Sequence, residues 1–313
     1  MAQERIVVLG GSGFVGRHIV ARLAAADYRV IVPARRREEA KHLILLPTVD
    51  VVEEDIHDPG VLGRLFADAV AVINLVGILN ETGRATFERV HVELARKVVA
   101  ACEAAGVGRL LHMSALGAAP DAPSQYLRTK AAAESTVAAS GLRWTVFRPS
   151  VIFGREDSFL NLFARLSRAL PVVALASPKA RFQPVYVGDV AHCFVQAIDD
   201  ELTHVARYDL CGPKVYTLQE LVTYVGEVAG AVRPIVALGP TLSKLQATVL
   251  EHLPGKLMSR DNLLSMRKDN VCDCPFPAVF GIAPTPLEAV APHYLSPVAQ
   301  RSEYDPYRAN SGR

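Results

Sequence analysis

Gly10-Gly11-Ser12-Gly13-Phe14-Val15-Gly16 is the stretch on which the reading of this chain turns. An apolar run at residues 6–9, β-branched at its first three positions, precedes it, and residues 14–26 follow with apolar side chains at helical spacing. Glycines at 10, 13 and 16 give the spacing G-x-x-G-x-x-G between a strand and a helix. The first permits a tight turn, the second lets backbone approach a pyrophosphate, and the third lets the helix pack closely on the strand. The helix N-terminus, with Ser12, Phe14 and Val15 around it, offers unpaired N–H groups and the positive end of its dipole to phosphate.

Outward from this motif, short apolar runs alternate with longer helical patterns. Strands are expected at 29–32, 51–52, 71–75, 110–113 and 143–147, with helices at 38–46, 60–66, 87–105 and 126–140 between them. Strands apolar on both faces and separated by helices predict a parallel sheet covered on both sides, and right-handed crossovers make it a doubly wound Rossmann sheet. After Pro149 the alternation is lost. Helices are expected at 158–168, 189–198, 217–229 and 242–258 among short strands and proline-rich connections. The fold class is therefore α/β: a Rossmann domain over 1–155, to which 183–200 returns, and a smaller C-terminal α/β substrate or partner region from 156–182 and 201–295. A flexible tail is expected at 296–313.

Composition narrows the function classes. Half of the 313 residues are hydrophobic, about a fifth are charged, and the net charge is +2, so nothing drives the chain toward nucleic acid. The longest apolar run, within 69–79, is too short for a membrane-spanning helix, and the first residues leave no room for a leader. Five scattered cysteines read as reduced thiols of an intracellular protein, cytoplasmic or peripheral at the inner membrane. Cys272 and Cys274 stand one residue apart, which matches no common zinc spacing, so no metal is expected.

The cofactor type is read about twenty residues past the glycines. An NAD site places a carboxylate there for the ribose 2′-hydroxyl. This chain has Pro33-Ala34-Arg35-Arg36-Arg37, and a guanidinium suits a 2′-phosphate, so Arg35 and Arg36 favour NADP(H). Asp55 and Ile56, after the third strand, fall where an adenine edge would lie. Leu75, Val76 and Gly77, and Pro149, Ser150 and Val151, are read as further cofactor contacts. Tyr126 and Lys130 lie one helical turn apart, where the ammonium is expected to lower the phenol's pKa and to reach the nicotinamide ribose. Ser114, at a strand end, is expected to hydrogen-bond the substrate oxygen, completing a catalytic set of Ser114, Tyr126 and Lys130.

With Arg148-Pro149-Ser150, these motifs resemble the extended short-chain dehydrogenase/reductase superfamily. Residues 126–130, 152–161 and 183–190 are similar to an atypical branch of it, that of the ninth alpha-subcomplex accessory subunit of respiratory complex I and its bacterial relatives. The similarity runs from about Ile6 to Ala197. The resemblance implies bound NADP(H) with a structural role and a protein partner in a respiratory complex. The alternative it leaves open is an NADP(H)-dependent oxidoreductase or nucleotide-sugar epimerase or dehydratase, acting on a small molecule or linked to quinone metabolism. One departure stands out: His91 occupies the position where extended members carry asparagine in the helix before the fifth strand.

Overall fold

The computed structural model describes residues 3–252 and 258–296. The expected tail at 296–313 lies, except for its first residue, outside them. The chain divides into two compact units: Met1–Pro149 with Val187–Leu210 and Pro277–Ile282, and Ser150–Tyr186 with Cys211–Phe276 and Ala283–Arg313.

The first unit is built on a seven-stranded, wholly parallel sheet. Its strands are β1 (Arg5–Leu9), β2 (Arg29–Ala34), β3 (Val49–Glu53), β4 (Ala69–Asn74), β5 (Arg109–Met113), β6 (Arg143–Pro149) and Ala206–Leu210. In space β3-β2-β1-β4-β5-β6 are followed by the seventh strand. Val7 at the centre stands opposite Ile31 on one side and Val72 on the other. Ile6 to Leu9 are wholly inaccessible, the mark of a strand covered on both faces. The cover comes from α1 (Phe14–Ala25), α2 (Pro59–Phe66), α3 (Leu94–Ala105), α4 (Gln125–Ala138) and a helix at Val187–Gln196 that packs on α1. Phe147, Phe194, Tyr208 and Phe280 meet with ring centroids 4.3–6.1 Å apart, which explains why Pro277–Ile282 belongs to this unit.

The helix expected at 38–46 is a single 3₁₀ turn, Arg37–Ala40. Only Ala40 and Leu43 are buried there, three residues apart, while Leu45 is 86% exposed and Pro47 can donate no backbone hydrogen bond. The helix expected at 87–105 opens as a π-helix, Glu88–Glu93, before α3.

Among the described residues the second unit has three two-stranded sheets: Ile152–Phe153 with Val185–Tyr186, Arg181–Phe182 with Tyr216–Thr217, and Val173–Leu175 with Ile235–Ala237. Its core packs Phe163, Phe182, Leu221, Val225 and Tyr294 together. Asp157 organises the segment 152–161: its carboxylate accepts from Leu160 N at 2.6 Å, Gly154 N at 3.2 Å and Tyr294 Oη at 2.9 Å. The reading of five reduced thiols does not hold, because Cys211 and Cys272 form a disulfide. Gln183 brings the two segments together, donating to Gly212 O at 2.7 Å and accepting from Cys272 N at 3.0 Å.

No helix among the described residues is long and apolar enough to cross a membrane. Among those residues no group of three His, Cys, Asp or Glu side chains is placed to hold a metal ion.

Candidate functional site

The sheet order reverses between β1 and β4, and open α/β sheets bind ligands beyond the strand ends at that point. Gly10 follows β1 and Leu75-Val76-Gly77 follow β4, so the first unit brings these predicted residues together. A Cβ on Gly10 would sit 3.3 Å from both Leu75 C and Val76 N, and its φ of +78° lies in the left-handed region that glycine adopts without strain. Gly16 is tighter still: a Cβ there would lie 2.3 Å from Gly10 O and 2.6 Å from Gly11 Cα. Gly13, the N-cap of α1, has φ −75° and meets only Gly10 O, at 3.2 Å. Gly16 therefore serves packing, whereas Gly13 keeps the space in front of the helix N-terminus clear. This is the cradle that a dinucleotide pyrophosphate fits.

At the far edge Arg35 and Arg36 have 84% and 75% of their side-chain surface exposed. Arg36 is engaged by Glu39 at 2.6 Å, and Arg35 reaches the same carboxylate only at 3.8 Å. Asp55 is exposed and accepts from His57 N at 2.9 Å, shaping its own turn.

The second constellation differs from its expectation in two ways. Ser114 is buried, and its hydroxyl donates to Glu134 on α4, two turns beyond Tyr126. Glu134 is in turn held by Arg148, whose Nε lies 2.9 Å from both carboxylate oxygens, and by Arg207 at 3.7 Å. The phenol of Tyr126 is not lowered by its neighbour: burial pushes it up to about 12. Lys130 is itself brought down to about 8 by burial, against the opposing pull of Glu134. Its ammonium donates to Met113 O at 3.1 Å and would lie 2.9 Å from a Cβ on Gly77.

Sequence reasoning missed Glu134, Asn74 and His112, and marked His91 only as a departure from the family's asparagine. Asn74 Oδ1 accepts from Val76 N at 3.2 Å, and its amide meets His112 Nδ1 at 3.3 Å. Burial, then the nearby Lys130, hold His112 down to about 3. A polar Asn at the end of an otherwise apolar strand was the signal available for this pair. In the second unit, Ser150 donates to Asn270 Oδ1 at 2.6 Å and Val151 N donates to the same oxygen at 2.9 Å. Arg181 pairs at the surface with Asp269 at 3.5 Å. Pro149 closes β6, its carbonyl accepting from Leu116 N at 3.0 Å.

A glycine cradle at the switch point of a doubly wound parallel sheet defines a nicotinamide-dinucleotide-binding Rossmann protein. The chain belongs to the NAD(P)H-binding family, whose model matches residues 10–201. It is 37% identical to the mitochondrial NADH dehydrogenase (ubiquinone) 1 alpha subcomplex subunit 9 of Arabidopsis thaliana, over 68% of this chain and 55% of that protein. The chain thus spans little more than half of that relative's length. It is 30% identical to the mitochondrial NADH-ubiquinone oxidoreductase 40 kDa subunit of Neurospora crassa, over 95% of this chain and 80% of that protein. A ceramide reductase of Caulobacter vibrioides is also 30% identical, over 76% of this chain and 74% of that one. Among solved structures, the UDP-glucose 4-epimerase of Thermus thermophilus with NAD superimposes with a TM-score of 0.63 at 24% identity, covering 84% of this chain and 99% of that one, a likeness of fold.

Proposed function

We propose that this protein holds NADP(H) as a lasting part of its structure and docks, through the surface so ordered, on a protein partner of a quinone-reducing respiratory enzyme at the membrane face. The observation that carries this reading is the direction of the Ser114 hydroxyl. It donates to a buried carboxylate that two arginines already hold, so it is not available to polarise a substrate oxygen. The raised Tyr126 phenol points the same way, since proton transfer near neutral pH works best with a group whose pKa lies near the working pH. The two relatives named as respiratory subunits favour a partner role.

Arg35 is the residue that would meet the 2′-phosphate, because Glu39 engages it only at 3.8 Å. The glycine cradle would hold the pyrophosphate, and Lys130 beside Gly77 would face the nicotinamide-side ribose. When bound, the cofactor supplies a transferable hydride. What the chain's own residues contribute on this reading is binding and rigidity. The reductase relative favours a second reading, with turnover at Tyr126 and Lys130 on a carbonyl substrate.

Two variants separate the readings. For a cofactor-holding partner protein, Tyr126→Phe leaves NADPH affinity and partner docking intact, whereas Gly13→Val removes both by filling the space before the α1 N-terminus. NADPH oxidation by the purified protein in the presence of quinones or carbonyls, lost in Tyr126→Phe, would overturn the holding role in favour of the enzyme.

A further inference from the structure

The loop after β4 turns two backbone N–H groups inward, and each finds a side-chain acceptor. Asn74 takes Val76 N, and His91 Nε2 takes Ile78 N at 3.2 Å. Because Nε2 accepts, the proton of the neutral ring lies on Nδ1, which donates to Thr129 Oγ1 at 2.9 Å. The Thr129 hydroxyl passes its own hydrogen back to the carbonyl of Gln125 or Tyr126, each 3.0 Å away. An imidazolium would aim a second N–H at the Ile78 N–H. Burial, with Lys130 and His112 adding like charge nearby, keeps the ring neutral by holding its pKa down to about 2.

The ring is 2% exposed and lies between aromatic walls, 5.5 Å from the Phe87 centroid and 5.6 Å from that of Tyr126. It projects from the π-helix Glu88–Glu93, and such wide turns recur at functional sites. One imidazole therefore ties the loop after β4 to the first turns of α4, which carry Tyr126 and Lys130. Gly77 directly precedes Ile78 in that loop, and its Cβ position would be 3.6 Å from His91 Nε2 and 2.9 Å from Lys130 Nζ.

We propose that His91 is a positioning residue for the nicotinamide half of the cofactor: by holding Ile78 N and Thr129 Oγ1 together, it sets the gap between the Gly77 backbone and the Lys130 ammonium. The adenosine half, served by the glycine cradle and Arg35, does not depend on it. This inference rests on the NADP(H) reading above.

The test compares two ligands by calorimetry: NADPH, and adenosine 2′,5′-bisphosphate, which carries the adenine and the 2′-phosphate but no nicotinamide. In His91→Gln the amide oxygen can still take Ile78 N. His91→Phe keeps ring bulk with neither bond, and His91→Leu removes both bonds with a smaller apolar side chain. The expected result is at least tenfold weaker NADPH binding in His91→Leu and His91→Phe, with bisphosphate affinity within twofold of wild type. His91→Gln returns NADPH binding to within threefold.

Unchanged NADPH affinity in His91→Leu and His91→Phe overturns the proposal, and so does an equal loss of both ligands, which would mark general damage. A wild-type protein that binds NADPH and NADH equally defeats the NADP(H) reading alone, because the nicotinamide effect of His91 would then be read with NADH. Should the variants fail to fold, nitrogen NMR of the wild-type imidazole decides. The Nδ1–H tautomer from pH 5.5 to 8 supports the proposal, and the Nε2–H tautomer or an imidazolium refutes it.

Discussion

Replacing Ser114 by alanine separates a structural hydroxyl from a catalytic one. The side chain is 3% exposed and its hydroxyl donates to Glu134, an ionic acceptor whose oxygens are otherwise held by Arg148 and Arg207. A hydrogen bond to a charged group contributes about 1.5–3 kcal/mol, and a buried acceptor left short of a partner adds to the loss. The two arginines still hold the carboxylate, so the expected cost sits near the middle of that range, about 2 kcal/mol. For a unit of this size that is a fall of roughly 4–8 °C in melting temperature. The assay is thermal and urea unfolding of the NADPH-free protein, with NADPH affinity measured alongside. The account expects the stability loss with affinity within twofold of wild type. A Ser114→Ala protein that melts like wild type but loses NADPH affinity or turnover would show that the hydroxyl faces the cofactor or substrate, and the reasoning from Glu134 would be refuted.

Gly16→Ala places a methyl 2.3 Å from Gly10 O, so it should abolish NADPH binding and destabilise the first unit by several kcal/mol, on the order of other overpacked sites; a stable, NADPH-binding variant in differential scanning calorimetry contradicts this. Burial brings Lys130 down to about 8 in the folded state from the ordinary lysine value of 10.5, so below pH 8 both states carry the proton and the buried ammonium costs stability. As pH rises from 8 to 10 the folded state releases its proton first, and the cofactor-free protein should gain up to about 2 kcal/mol relative to Lys130→Met, read as a difference in urea midpoints. Tyr126, raised to about 12, would oppose that gain only above pH 10. Reducing the Cys211–Cys272 disulfide, which joins residues 61 apart, should lower stability by roughly 4 kcal/mol on the chain-entropy account; an unchanged melting curve in dithiothreitol would show that the crosslink contributes nothing.

The parts legible from sequence are those fixed by local chemistry. The glycine loop announces itself because only glycine tolerates +78° at Gly10 and the close approach at Gly16. The strands of the parallel sheet announce themselves by being apolar on both faces, as Ile6 to Leu9 are. What escaped depends on contacts between distant residues. Nothing near Ser114 in the chain says that a carboxylate twenty residues on takes its hydroxyl, or that Arg148 and Arg207 converge there. His91 stood out only as a departure from asparagine, because its partners, Ile78 and Thr129, come from elements that only the fold brings beside the π-turn. The lysine beside Tyr126 was weighed by proximity alone, whereas burial decides both pKa values. Cys211 and Cys272 carry no spacing signal, and Gln183 brings them together from a third segment.

The most direct measurement of the central claim is a calorimetric titration of the purified protein with NADPH and with NADH, repeated on Arg35→Ala. The account predicts NADPH binding at least tenfold tighter than NADH, a difference on the order of 1.4 kcal/mol, and a preference that shrinks when the Arg35 guanidinium is removed. Equal affinity for the two dinucleotides, or a preference that survives in Arg35→Ala, would contradict it.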